Sequence, residues 1–363
     1  MKIMFIVDNY MGGAGNIIQL LATEYAKTDD VSVLITHKTI EKRYECPGVK
    51  FIELDPSKKP NGIRALTYQI KWVRKQVKTE QPDIIISFIT INSIITCFGQ
   101  MHSKIPIIAC ERNDPFADNW KFPWNYLVHK SYDRANIITV QFKEFVGFDG
   151  ARYINKCRVT PNYIATPNLF KNPSDKSEIV RFVTCGRLHE QKQFVKLLEM
   201  FSEIHEREPN TELRIYGHGP LEHELKEKIK DLKLENCAYI MGYTTDPYKV
   251  LVDSDVYLMT SRREGFPNAL SEALAVGLPS VSFRCHNGID ELLDNGRRGS
   301  IVPLNDKEAF VNAALELCYN KEKRQAYSNA AKEVSVVYSM KNVKAIWDEC
   351  IKEALAKKGN KKR

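Results

Sequence analysis

The stretch SRREGFPNALSEALAVGLP, residues 261–279, decides how the chain is read. It follows Val256–Met259, an apolar run of the length of a buried strand. A tight loop then leads to Pro267. Proline suits the first position of a helix, because its φ is already helical and the N–H it lacks would be unpaired there. The helix is expected to run through Ala275 and to stop at Gly277-Leu278-Pro279. Glu264 stands in the loop, and Glu272 stands eight residues on, inside the helix. The backbone N–H groups of Phe266, Asn268 and Ala269 are expected free at the helix N-terminus, where the dipole favours an anion. The two carboxylates can accept hydrogen bonds from ligand hydroxyls.

Two further loops fit the same pattern of strand, loop and helix. Cys185-Gly186-Arg187-Leu188-His189-Glu190-Gln191-Lys192 follows a strand expected at 182–185. It brings Arg187 and Lys192, two cations that suit a diphosphate. Gly217-His218-Gly219-Pro220 follows a strand expected at 213–216, and its glycines would let a ligand approach the backbone. Strands at 238–241, 256–259 and 280–283 and helices at 194–208 and 221–232 complete this half.

The first half alternates in the same way. Strands are expected at 3–8, 31–36, 49–54, 83–89, 105–110 and 137–140, with helices at 17–27 and 65–81 and a Gly-rich turn at Gly12, Gly13 and Gly15. That turn lacks a full G-x-G-x-x-G fingerprint, since Ile18 stands where the third glycine would be. Residues 158–172, with two prolines and three asparagines, read as a linker. The whole is α/β, with two doubly wound Rossmann-like halves, and in such folds ligands bind at the carboxyl ends of the strands. Two facing halves would put the site in a cleft.

The chain has 363 residues, enough for two domains. Nine scattered cysteines without CxxC spacing fit a reducing compartment and argue against a metal cluster. The N-terminal apolar run stops at Asp8, too early for a secretory signal. The most apolar stretch, 84–101, is broken by Ser87, Thr90, Asn92, Ser93 and Thr96, and reads as strand, loop and helix rather than a membrane span. The formal charge is +8, distributed as +6 over 1–170, −3 over 171–340 and +5 over 341–363. That asymmetry favours an anionic partner for the first half, either a lipid surface or a phosphate-bearing acceptor. Trp120, Phe122, Trp124 and Tyr126, interleaved with Lys121 and Lys130, suit either a membrane interface or a helix packing its rings into a core. The tail lysines Lys357, Lys358, Lys361 and Lys362 with Arg363 suit anionic lipid or a solvated end. Asp253-Ser254-Asp255 mimics a metal-binding DxD motif, but its place just before a strand favours turn or capping chemistry.

Glu264 and Glu272 as E-x7-E, with Arg187 and Lys192 in GRL and QK, GHGPL, and EGFPNALSEALAVGLP, resemble glycosyltransferase family 4. The resemblance covers nearly the whole chain, densely in the second half and thinly in the first. It implies the GT-B fold, with an acceptor-side domain over 1–165 that the helix of 341–363 packs back upon, and a nucleotide-sugar-binding domain over 173–340. It implies retaining, metal-independent transfer of a hexose or N-acetylhexosamine from a UDP-sugar, with no cofactor. By that resemblance Arg187 and Lys192 bind the donor pyrophosphate, Glu264 the sugar and Glu272 the ribose. In the segment Gly265, Phe266, Pro267 and Asn268, the backbone N–H groups of Gly265, Phe266 and Asn268 face sugar and phosphate. Gly217 and Gly219 line the donor loop, Met241 and Gly242 lie near the base, and Gly12 and Gly13 approach from the first domain. Many relatives read GGAER where this chain has Gly12-Gly13-Ala14-Gly15-Asn16. Many also carry a histidine near Glu111-Arg112, and these two polar residues are expected to face the acceptor or the reacting sugar. The acceptor implied is a glycan on polyprenyl diphosphate, in surface polysaccharide (capsule or O-antigen) synthesis. That would place the protein in the cytoplasm or on the inner face of the cell membrane, with no nucleic acid partner. Two other readings are a nucleotide-sugar epimerase on the same fold and an inactive partner subunit of a catalytic relative.

Overall fold

The computed structural model describes residues 1–8, 12–37, 46–55, 57, 63–116, 121–171 and 179–357. Trp120, Lys358, Lys361, Lys362 and Arg363 lie outside these residues. The chain divides into two compact units, Met1–Asn162 with Lys341–Arg363, and Tyr163–Met340.

The first unit begins with β1 (Lys2–Val7), α1 (Gly12–Tyr25), β2 (Asp30–Ile35), β3 (Val49–Glu53), α2 (Ile63–Glu80) and β4 (Ile84–Phe88). It continues with α3 (Thr90–Gly99), β5 (Ile107–Cys110), α4 (Trp124–Arg134), β6 (Ile137–Val140) and β7 (Cys157–Val159). Its seven strands are parallel, in the order β3-β2-β1-β4-β5-β6-β7. Apart from Lys2 and Ser87, the residues of the central strands β1 and β4 are apolar, and all but Lys2 are buried, as a parallel sheet covered by helices requires. On one face α2, α3 and α4 share an apolar cluster built from Val73, Val77, Ile94, Ile95, Val128 and Tyr132.

The second unit contains β8 (Val180–Cys185), α5 (Phe194–Arg207), β9 (Thr211–Tyr216), α6 (Glu222–Asp231), β10 (Ala238–Gly242), α7 (Pro247–Val252) and β11 (Val256–Met259). Next come α8 (Asn268–Ala275), β12 (Ser280–Arg284), α9 (Gly288–Leu292), β13 (Ser300–Pro303), α10 (Lys307–Tyr319), α11 (Lys321–Ala331) and α12 (Val334–Val337). Its sheet is parallel in the order β10-β9-β8-β11-β12-β13. The last helix, α13 (Met340–Ala356), returns to the first unit. There Trp347 stacks on Phe88 at 5.8 Å, Tyr25 donates to Asp348 at 2.8 Å and Arg158 pairs with Glu353 at 2.6 Å.

The α/β class and the alternation are as the sequence indicates. Three details differ. Gly12 and Gly13 open α1 instead of forming a turn before it. Glycine's poor helix propensity points the other way, and tertiary packing overrides it. The supposed linker at 158–172 begins inside β7, whose three residues are too few to show a pattern. Strand β13 and helix α7 are also too short to stand out by periodicity. Among the described residues, no helix is long and apolar enough to cross a membrane.

Candidate active site

The heads of β8 and β11 are adjacent in the second sheet, and the loops leaving them are joined. Gln191 donates its side-chain amide to Arg263 O at 2.8 Å and accepts at its carbonyl from Arg262 N at 2.8 Å. Thr260 donates its hydroxyl to Lys192 O at 2.8 Å. These bonds fix two backbones side by side. Across them Lys192 Nζ meets Glu264 Oε1 at 2.6 Å. The lysine stem passes over Gly186, where an added Cβ would sit 3.0 Å from Lys192 Cε. Glu264 is buried, and the lysine offsets the cost of its desolvation. Arg187, in the same loop, is exposed and forms no hydrogen bond or ion pair with any described residue.

Glu272 stands in the second turn of α8, half-buried. Its carboxylate has no hydrogen-bond partner among the described residues, and burial pushes its pKa up to about 7. Burial, reinforced by the Glu272 charge and eased by Lys192, pushes the Cys185 thiol up to about 12. Burial, then Glu272 and then Tyr163, raise the Tyr248 phenol. Glu272, Cys185, Lys192 and Tyr248 therefore share one electrostatic neighbourhood at the head of β8. The structure brings Lys192, Glu264 and Glu272 to this end of the sheet and leaves Arg187 free beside them. Sequence reasoning missed Thr260 and Tyr248, residues with no motif signature, and quoted Gln191 in the QK motif without a role; these three hold or flank the charged groups.

Two details of this region depart from expectation. Pro267 is the N-cap of α8, one position before the helix, and the Asn268 N–H donates to Phe266 O at 2.9 Å. The Asn268 amide is thus used inside the turn. Phe266 is buried, edge-on to Tyr338 at 5.9 Å. The glycines of the 217–219 loop serve the protein itself. A Cβ on Gly217 would lie 1.8 Å from Gly186 O, and one on Gly219 would lie 2.5 Å from Leu188 O. They let this loop press on the Arg187 loop, where Leu188 N donates to His218 O at 3.1 Å. At the end of β10, Gly242 has φ 75° with open space around its Cα, and Met241 and Tyr243 are exposed.

The first-unit candidates are placed differently. Glu111 and Arg112 are buried. Glu111 accepts from the Thr90 hydroxyl, from Tyr132 Oη at 2.9 Å and from the Arg112 and Asn113 N–H groups at 2.9 and 3.1 Å. Arg112 donates to Thr160 O at 2.7 Å, Thr160 Oγ1 at 2.7 Å and Thr139 Oγ1 at 3.0 Å, and lies over the Phe88 and Trp347 rings. Desolvation lowers its pKa. These polar atoms tie strand ends to α3, α4 and α13. The pair, expected to face the acceptor or the reacting sugar, thus serves as an internal brace of the unit. Asp255 accepts from Lys171 at 2.9 Å and from Arg181 N at 2.9 Å, a structural role for the DxD look-alike.

Residues 166–334 match the family model of the group 1 glycosyl transferases. An uncharacterized glycosyltransferase of Methanocaldococcus jannaschii is 29% identical over 255 residues, covering 64% of this chain and 63% of that protein, under two thirds of its length. An alpha-1,4-N-acetyl-D-galactosaminyltransferase of Campylobacter jejuni, named for a GalNAc-GalNAc-diNAcBac-PP-undecaprenol substrate, is 24% identical over 97% of this chain and 99% of its own. The crystal structure of Anabaena HepE, in complex with UDP and glucose, superposes with TM-score 0.79 at 19% identity, over 98% of this chain and 100% of that one, which shows the fold. Residues 166–334, just under half of the chain, thus match the group 1 glycosyl transferases, and the chain as a whole is similar to glycosyltransferase family 4 proteins and has their GT-B fold.

Proposed function

We propose that the protein is a retaining glycosyltransferase. It moves a hexose or N-acetylhexosamine from a UDP-sugar to a glycan carried on polyprenyl diphosphate, in surface polysaccharide synthesis on the inner face of the cell membrane. The observation that carries this reading is the charge arrangement at the heads of β8 and β11. Among the described residues Arg187 has no side-chain partner, and with Lys192 it belongs to the same strand-end segments as two carboxylates, one paired (Glu264) and one without a hydrogen-bond partner (Glu272). Cations suit the diphosphate, and carboxylates suit the hydroxyls of sugar and ribose. The exposed Met241 and Tyr243 offer an apolar face for the base. The polyprenyl acceptor is supported by the name of the Campylobacter relative.

The leaving group carries the developing charge, so its electrostatic stabilisation by Arg187 and Lys192 is the main catalytic demand. The acceptor oxygen forms its bond to the anomeric carbon on the face from which the phosphate departs. The anomeric C–O bond to phosphate breaks, and its electron pair leaves with UDP. The hydroxyl proton passes to a phosphate oxygen. Glu264 holds the sugar, and no metal or cofactor takes part. Incubating the protein with UDP-glucose, UDP-galactose, UDP-GlcNAc and UDP-GalNAc and a polyprenyl-diphosphate oligosaccharide tests the proposal by mass spectrometry. A gain of one sugar residue, α-linked by NMR, is expected. Hydrolysis alone, or no gain with any donor, overturns it.

A further inference from the structure

Helix α2 has an unusual polar face. Arg64, Lys71, Lys75 and Lys78 are all exposed, and none has a side-chain partner among the described residues. Their spacing of 7, 4 and 3 residues puts them within about 60° of arc and along about 21 Å of helix. On the opposite side Val73 and Val77 are buried, with Leu66 and Ile70 packed beside them. The only acid of α2, Glu80, is taken by Lys50 at 2.7 Å.

Other helices of this chain treat their cations differently. In α6 Lys226 pairs with Glu222 and Lys230 with Glu227; of the cations of α13 Lys344 pairs with Asp348, and just past its end Lys357 pairs with Glu353. Such pairs are what a merely solvated helix face shows. Four aligned cations without an acid repel one another unless an anionic surface faces them. Helix α3 packs between α2 and α4, all three over one face of the sheet. On α4 and the turn before it Phe122 is 82% exposed and Tyr126 is 53% exposed, with Lys121 and Lys130 beside them. Trp124 alone of this group turns into the core.

We propose that the cation stripe of α2, flanked by Phe122 and Tyr126 of the α4 region, is the surface by which the first unit docks on an anionic lipid bilayer. This deepens the reading of a membrane-borne acceptor and rests on it for its purpose. The stripe is long, straight and one-signed, which suits a plane of lipid headgroups, and the two exposed rings suit the headgroup layer. Each cation near such a surface contributes about fivefold in partition, so the four together contribute several hundredfold.

Co-sedimentation of the full chain with phosphatidylglycerol-rich and pure phosphatidylcholine vesicles tests this. Binding to the anionic vesicles that weakens with salt is expected. The quadruple variant R64Q/K71Q/K75Q/K78Q is expected to lose it several hundredfold, and Phe122→Ser with Tyr126→Ser is expected to weaken it without changing its salt dependence. Unchanged thermal unfolding and unchanged UDP binding by the variants show that the fold and the donor site are intact. Equal binding to both vesicle types, undiminished binding by the quadruple variant, or binding to single-stranded RNA in place of vesicles overturns the proposal. Vesicle binding is read without any transfer reaction, so its failure and a failure of the glycosyltransferase reading are told apart.

Discussion

Lys192 Nζ lies 2.6 Å from Glu264 Oε1, so the cation assigned to the diphosphate and the carboxylate assigned to the sugar hold each other in the free protein. On the proposed function a bound donor exchanges this pair, its diphosphate taking the lysine and its hydroxyls the glutamate. Lys192→Ala is expected to cut kcat/KM about 10²–10³-fold. It also leaves Glu264 buried without its partner, and urea unfolding is expected to show a loss of about 1–3 kcal/mol. In a double-mutant cycle, Lys192→Ala with Glu264→Ala is expected to cost less stability than the two single changes added. Strict additivity would show that the pair is not coupled.

Glu272 carries the pH dependence. Burial raises its pKa from 4.5 to about 7, so folding favours the protonated carboxyl. The stability this group contributes is full below about pH 4.5 and is lost as pH rises through about 7. Glu272→Gln keeps a neutral side chain at every pH. At pH 8 it is expected to stabilise the protein by up to about 3 kcal/mol, less in proportion as solvent reaches the half-buried group. UDP affinity of the natural protein is expected to rise between pH 6 and pH 8 as the carboxylate forms, and that of the variant to stay flat. Parallel calorimetric pH profiles of the two proteins decide this, and identical slopes would remove the role.

Gly217 and Gly242 separate contact from conformation. A Cβ at Gly217 meets Gly186 O at 1.8 Å, whereas one at Gly242 meets nothing within 4 Å. Gly242→Ala is expected to cost only the left-handed backbone term, about 1–2 kcal/mol. Gly217→Ala has to displace the Arg187 loop and is expected to cost more in thermal unfolding and to weaken UDP binding as well. Equal melting temperatures for the two variants would mean that the loops do not press together.

The burial of Arg112 leads to a different expectation for the first unit. Arg112→Ala removes three hydrogen bonds and the stacking on Phe88 and Trp347. A loss of about 2–4 kcal/mol in urea unfolding is expected. In the surviving folded fraction, KM for the acceptor is expected to be unchanged. A stable variant with a raised acceptor KM would restore Arg112 as an acceptor contact.

How far the sequence could be read follows from which residues announce themselves. Val256–Met259 and Ile137–Val140 are found within the bounds expected, because buried parallel strands are short apolar runs between polar turns. For the same reason Lys192 and Glu264 could be placed in the loops that follow strands, and Glu272 in the helix after the second of them. Partners were not legible. Nothing in the sequence says that Glu264 is taken by Lys192, that Gly217 faces Gly186, or that Arg112 lies under Trp347, 235 positions along the chain. The stripe on α2 was legible only in its spacing, since the structure alone shows that its four cations meet no acid among the described residues.

The most direct test of the central claim, that the heads of β8 and β11 bind a nucleotide diphosphate, is a calorimetric titration of UDP into the natural protein and into Arg187→Ala. Arg187 is exposed and has no partner among the described residues, so its removal is expected to leave unfolding within about 0.5 kcal/mol of the natural protein. The account predicts saturable UDP binding that Arg187→Ala weakens at least tenfold. No heat with UDP, or equal affinity in the two proteins, would contradict it.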